Sequence, residues 1–201
     1  MSLINTVSLF LFIAFLSSYI AKLIIMNQKS GIKALVLAKG DKGKSINFSE
    51  SFVQFTTFLW GIIWLLETLF SIWISRFSPN LFNSKTMNYV GLTIIFIGLV
   101  FFVLSMITMK NSWRVGIDKS TKTQLITNGL YKYSRNPAFV GFNLMFIGLV
   151  FTFPNIVTLF ICLMNLFSIH NLILQVEKHL GNMFQEDYHL YRNKTPRYLL
   201  F

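Results

Sequence analysis

At 201 residues, 54% of them hydrophobic and 12% charged, with 22 Phe against 7 acidic residues, the chain lacks the polar shell that a soluble domain of this size needs. A net charge of +11 would point to nucleic acid in a soluble protein. Here apolar runs of about 20 residues recur, long enough to cross a bilayer, so nucleic acid is not an expected partner and the charge reports orientation. The single Cys162 lies in an apolar run, which excludes a disulfide framework and a cysteine metal site.

The expected architecture is all-α: one membrane domain over 1–201 with five spans, at about 3–26, 51–75, 87–109, 138–153 and 155–175. The first run, Leu3 to Met26, has no basic residue before it and no small-residue cleavage pattern. It reads as a retained span and not as a removed signal peptide. The segment after it carries Lys29, Lys33, Lys39, Lys42 and Lys44. The second span contains Glu67, whose burial in a membrane calls for a partner on a neighbouring helix or a route outward to water. Between spans two and three only Arg76 and Lys85 are basic.

Spans three and four echo each other, Tyr89 to Phe101 against Phe139 to Phe151, with eight of thirteen positions identical. Each copy has glycines seven apart, Gly91 and Gly98, Gly141 and Gly148. Two helical turns put both on one face, where they permit close helix approach. Chance resemblance between apolar helices explains the echo as well as duplication does. Lys110, Arg114, Lys119, Lys122, Lys132 and Arg135 crowd the segment between these spans. Phe153-Pro154-Asn155 then turns span four into span five as a helical hairpin.

Beyond span five the chain turns polar while Val176, Leu180, Met183 and Phe184 keep an apolar helical face, giving a tail helix against the membrane surface or the bundle. Tyr188, Tyr191, Arg192, Arg197 and Tyr198 suit the headgroup region. Segments rich in Lys and Arg stay cytoplasmic. The expected topology therefore has the N-terminus outside and the 27–50 segment, the 110–137 segment and the tail inside. That membrane would be the plasma membrane of a prokaryote or the endoplasmic reticulum of a eukaryote.

Phosphate loops, paired metal-ligand histidines and nucleophile elbows are absent from the sequence, so neither a metal nor a soluble catalytic motif is expected. Two clusters stand out. Pro137 suits the first position of the fourth helix, Asn136 can cap it, and the free amides with Arg135 suit an anionic group such as a carboxylate. A capped span with a positive-inside arginine accounts for the same residues. His170 and Glu177, seven apart, share one helical face with Asn171 and Gln175 nearby, and a carboxylate there can accept from a ribose or an ammonium group. Ordinary interfacial polarity is the competing explanation.

Gly129-Leu-Tyr-Lys-Tyr-Ser-Arg-Asn-Pro-Ala-Phe-Val-Gly141, Glu177-Lys-His-Leu-Gly-Asn-Met-Phe-Gln-Glu-Asp-Tyr-His-Leu-Tyr191 and Thr195-Pro-Arg197 together resemble the integral-membrane isoprenylcysteine carboxyl methyltransferase and phospholipid methyltransferase superfamily, over roughly residues 110–201. The resemblance implies S-adenosylmethionine bound at the cytoplasmic ends of the last two spans. Tyr131, Arg135, Asn136 and Pro137 would line its site and Glu177 would close it, with His170 nearby. Asn136 stands where many members have His, Phe139 where many have Tyr, and Val176 where the first of two Glu is usual. Arg114, Arg192 and Arg197 are candidates for holding an anionic acceptor or a lipid headgroup. The implied reaction moves a methyl group to a lipophilic or prenylated acceptor, a prenylcysteine-like carboxylate or a headgroup in the membrane lipid. Two other readings stay open on the residues: a non-catalytic scaffold or channel, and a nicotinamide-dependent membrane reductase of related architecture.

Overall fold

A computed structural model of the chain describes residues 2–119, 121 and 123–199; Lys122, one of the loop bases, lies outside the described residues. The fold is all-helical, in the order α1 (Leu3–Ser30), α2 (Lys44–Phe77), α3 (Lys85–Met109), α4 (Pro137–Thr152) and α5 (Ile156–Lys194), with single 3-10 turns at Lys110–Ser112 and Gly129–Lys132. The helices α1, α2, α3 and α5 are long and apolar enough to cross a membrane. The 16 residues of α4 reach only about 24 Å at 1.5 Å per residue, short of a hydrocarbon core of about 30 Å. Large apolar side chains such as Phe10, Phe58, Ile72, Phe160 and Phe167 face outward. That is the surface a bilayer demands and water does not.

The glycine echo is a packing seam. Helices α3 and α4 run antiparallel and share the most extensive contact in the bundle. A methyl group on Gly98 would sit 2.6 Å from the Gly141 carbonyl oxygen, and one on Gly148 would sit 2.8 Å from that of Gly91. In an antiparallel pair, equal seven-residue spacings let both glycines of one helix meet both of the other. Asn88 then fastens the end of the pair beside the hairpin turn, its side-chain amide donating to the carbonyls of Phe151 and Thr152.

Phe15 of α1 joins the other helices at the centre, with ring centroids 5.8 Å from Trp60, 5.5 Å from Phe102 and 5.8 Å from Phe142. Without a hydrophobic drive between helices in lipid, such packing and interhelical hydrogen bonds must hold the bundle. Trp64 Nε1 donates to Ser8 Oγ at 2.9 Å, and Asn165 Nδ2 to the Thr56 carbonyl at 3.1 Å. Glu67, 2% exposed, takes the partnership expected of it. Asn155 Nδ2 donates to its Oε1 at 2.7 Å, while Asn155 Oδ1 caps the start of α5 by accepting from Val157 and Thr158.

The loops sort by side as their charges require. At one end the 31–43 and 113–118 segments pair, Val36 N donating to Val115 O and Val115 N to Ala34 O. Glu50, fully buried, fixes both by accepting from Ala38 N, Lys42 Nζ and Ile117 N. At the other end Leu81 N donates to Pro154 O, beside the hairpin turn. The basic segments and the tail therefore share one end of the bundle.

Candidate functional site

The site grows from the start of α4. Pro137 occupies its first turn, where a missing donor costs nothing, but Asn136 makes no side-chain cap. This differs from the sequence expectation, and the reason is across the groove: Asn136 Nδ2 donates to Glu177 Oε1 at 2.9 Å. The free-amide end of α4 is likewise faced by the chain's own carboxylate, since Arg135 Nη2 lies 3.4 Å from the same oxygen. Glu177, 7% exposed, comes from α5 just beyond its membrane stretch.

The tail completes the cluster. A kink at Gln185, whose φ is +43°, separates the helix through Phe184 from the last turns. A positive φ is uncommon for a residue other than glycine, so tertiary contacts must maintain it. They do: Tyr188 and Tyr191 are buried, the ring of Tyr188 lying against Gly181. Tyr191 Oη donates to the Tyr131 carbonyl at 2.6 Å. Arg135 N donates to Pro196 O, and Ser134 Oγ to Arg197 O. Arg197 then closes on Glu177 with two bonds, Nε to Oε1 at 3.1 Å and Nη2 to Oε2 at 3.0 Å. The Glu177 carboxylate in turn pushes the guanidinium pKa up, keeping it charged.

Residues from the start of α4, from α5 and from the tail thus form one charge cluster of Arg135, Asn136, Glu177 and Arg197 around a buried carboxylate. Tyr131 is buried beneath it, and burial first, then the neighbouring Tyr191, pushes its phenol well above the usual value. His170 is exposed and reaches the cluster only through Tyr198, its Nδ1 being 2.8 Å from the phenol oxygen. Arg114 is not brought in. Its donors are used within its own loop, by Asp118, Asn111, Trp113 and Thr121.

Two clefts flank Arg192 and Arg197. One, of about 480 Å³, is lined by Arg135, both of those arginines, Asn193, Thr195 and Tyr198 among others. The other, of about 350 Å³, is lined by Glu177, Lys178, Asn182, Tyr188 and His189 as well as the two arginines. Arg135 Nε and Nη1 and Tyr188 Oη are buried without a hydrogen-bond partner in the chain. Buried donors left unpaired are costly, and the residues that carry them line the two clefts, Arg135 the first and Tyr188 the second. Among the described residues no group of three or more His, Cys, Asp or Glu is placed to hold a metal ion.

Sequence reasoning did not single out Ser134, Asn182 or His189. Ser134 is a buried hinge pin, accepting from Asn136 N while donating to Arg197 O; only its place inside the Tyr-Ser-Arg-Asn-Pro run could have marked it. Tyr188 and Tyr191 belong to the core of the site and not to the headgroup belt.

The sequence model of the phospholipid methyltransferase family matches residues 86–187. The chain belongs to the phospholipid methyltransferase family. This family is part of the superfamily of integral-membrane methyltransferases that the motifs at 129–141 and 177–191 resemble. The match runs from the start of α3 past Glu177, so the glycine seam, the hairpin and all but the tail of the charge cluster are family territory. With four long apolar helices, this phospholipid methyltransferase family member is an integral membrane protein. Comparison with curated proteins and with solved structures finds no match.

Proposed function

We propose that the protein transfers a methyl group from S-adenosylmethionine to a lipophilic acceptor in the membrane, at a site opening to the cytoplasm. The observation that carries this reading is the buried Arg135–Asn136–Glu177–Arg197 cluster, set between two clefts at the basic end of a methyltransferase-family bundle.

The donor set fits the cofactor. S-adenosylmethionine offers a carboxylate, an ammonium group and ribose hydroxyls. Arg135 has two buried unpaired N–H groups suited to a carboxylate, and Glu177 is the acceptor suited to an ammonium or a hydroxyl. Asn136, in the place of the more common His, does here what an imidazole N–H would do, holding Glu177 in position without a titrating group. Tyr131 and Pro137 form the buried wall behind it, and His170 steadies Tyr198 at the rim.

When bound, the cofactor supplies an already activated sulfonium methyl. What remains for the chain is to hold an acceptor in line and exclude water. Arg192 and Arg197, facing both clefts, hold the anionic end of the acceptor. Arg114 instead braces the 110–121 loop. A carboxylate or thiolate acceptor needs no base, whereas an amine must first lose a proton. The acceptor's tail remains in the bilayer, which concentrates it beside the site.

Equilibrium binding to the detergent-solubilised protein tests the reading. S-adenosylhomocysteine should bind and a nicotinamide dinucleotide should not. The reverse result would make the protein a reductase, and binding of neither would leave it a scaffold.

A further inference from the structure

The Glu177 carboxylate is held on both oxygens by the chain itself. Its Oε1 accepts from Asn136 Nδ2 at 2.9 Å and Arg197 Nε at 3.1 Å, with Arg135 Nη2 at 3.4 Å, and its Oε2 accepts from Arg197 Nη2 at 3.0 Å. A carboxylate has about four acceptor positions. Three of them are filled by hydrogen bonds, so a ligand that takes more than the position left on Oε2 must displace one of these donors, and Arg197 is the one that holds both oxygens.

The partners are not equally held. Asn136 and Arg135 are buried at the start of α4, whereas the Arg197 side chain is 28% exposed and lies on the tail. The backbone around Arg197 is pinned, by Arg135 N to Pro196 O and by Ser134 Oγ to Arg197 O. Its guanidinium can therefore swing while the tail stays in place. It lines the 480 Å³ cleft beside Arg192 and Arg135. Three arginines line that cleft, while Glu177, the carboxylate paired with two of them, lines the other. The excess is positive, and planar N–H forks match the paired oxygens of a phosphate ester or a carboxylate.

We infer that Arg197 is shared between the two clefts: an oxo-anion in the arginine cleft draws it off Glu177, and the freed carboxylate then takes the cofactor. This rests on the methyltransferase reading above and adds to it a coupling between acceptor and cofactor. Linkage makes the coupling reciprocal, so each ligand raises the affinity of the other by the same factor. The Arg197–Glu177 pair thus masks the cofactor's acceptor, which opposes unproductive cofactor binding when no acceptor headgroup is present.

The test is equilibrium binding of S-adenosylhomocysteine to the full chain in maltoside micelles and phosphate-free buffer, alone, with dioctanoyl phosphatidic acid, or with inorganic phosphate. The short-chain anionic lipid should tighten binding about five-fold or more, the lower end of ordinary allosteric coupling. An equal effect of inorganic phosphate would make free phosphate a sufficient occupant; an effect of the lipid alone would make it a headgroup site. Arg197→Gln should bind S-adenosylhomocysteine with the same affinity with and without the lipid. Arg197→Lys, which keeps the charge but not the fork, should retain the fold and lose most of the coupling. Wild-type binding that is unchanged or weakened by both anions would overturn the inference while leaving the methyltransferase reading in place. No binding in any arm would remove that reading instead.

Discussion

Glu177 is a structural carboxylate to which the proposed function gives a second role, that of a cofactor acceptor. Glu177→Gln preserves size but removes the charge that Arg135 and Arg197 face. A lost charge-assisted hydrogen bond to a ligand costs roughly 1.5–3 kcal/mol, so cofactor affinity should fall about ten-fold or more. Calorimetry with S-adenosylhomocysteine, alongside a melting curve to confirm folding, measures it; unchanged affinity would take Glu177 out of the site. Tyr191→Phe is a subtler change. It deletes the bond to the Tyr131 carbonyl, leaves that oxygen buried without its donor, and should lower stability by about 1–3 kcal/mol. Because the tail then grips the 129–136 loop less firmly, S-adenosylhomocysteine affinity should fall as well, and the two readouts should move together.

Among elements, the α3–α4 pair carries the most specific packing. Gly148→Ala would drive a methyl group to 2.7 Å from Ile95 Cγ1 and 2.8 Å from the Gly91 carbonyl oxygen. Overpacking of this kind costs about 1–3 kcal/mol, seen as a lower melting temperature in detergent. Gly61 in α2 is different, because a methyl group added there would meet no neighbouring atom within 4 Å. Gly61→Ala should therefore be neutral or stabilising by up to about 1 kcal/mol. If both substitutions were equally harmless, the glycine seam would not be what holds these helices. The sequence supplied the spacing, and from the spacing the close approach. It did not supply the partner, because one face of glycines fits any smooth helix; the pairing of 91 with 148 and 98 with 141 exists only in the antiparallel assembly.

At the scale of the whole molecule the prediction concerns sidedness. The basic segments 31–43 and 113–118 are bonded to each other, and the turn at Pro154 is bonded to Leu81 at the opposite end. Positive-inside bias then assigns the basic end to the cytoplasm. In a Cys162→Ser background, Lys132→Cys should react with an impermeant maleimide only after permeabilisation, and Asn83→Cys should react in intact cells. Labelling in the reverse pattern would put the site outside. Sideways delivery of the acceptor belongs to this scale too. Each methylene buried from water is worth about 0.8 kcal/mol, so shortening the acceptor tail should lower transfer efficiency steeply. A tailless, water-soluble analogue methylated as efficiently as the full lipid would make the bilayer irrelevant to catalysis.

Composition and apolar runs by themselves determined that the protein is a helical membrane bundle, because continuous apolar runs of about 20 residues satisfy their backbone in lipid as helices, whereas barrel strands alternate in polarity. The Arg-Asn-Pro run and Glu177 pointed to the site through their resemblance to a family pattern, since by chemistry alone interfacial polarity explained them as well. Only the tertiary structure decided how those residues are used. Asn136 has the sequence of a helix cap, yet its amide is spent on a carboxylate 41 residues away. Arg114, Arg192 and Arg197 look alike as basic residues near a membrane, yet one is consumed by its own loop and two line the clefts. Tyr188 and Tyr191 have the composition of a headgroup belt and are buried by a kink at Gln185 that no local pattern encodes. Capping propensity, charge and amphipathicity are local quantities; which donor finds which acceptor depends on segments that meet only when the hairpin closes and the tail folds over it.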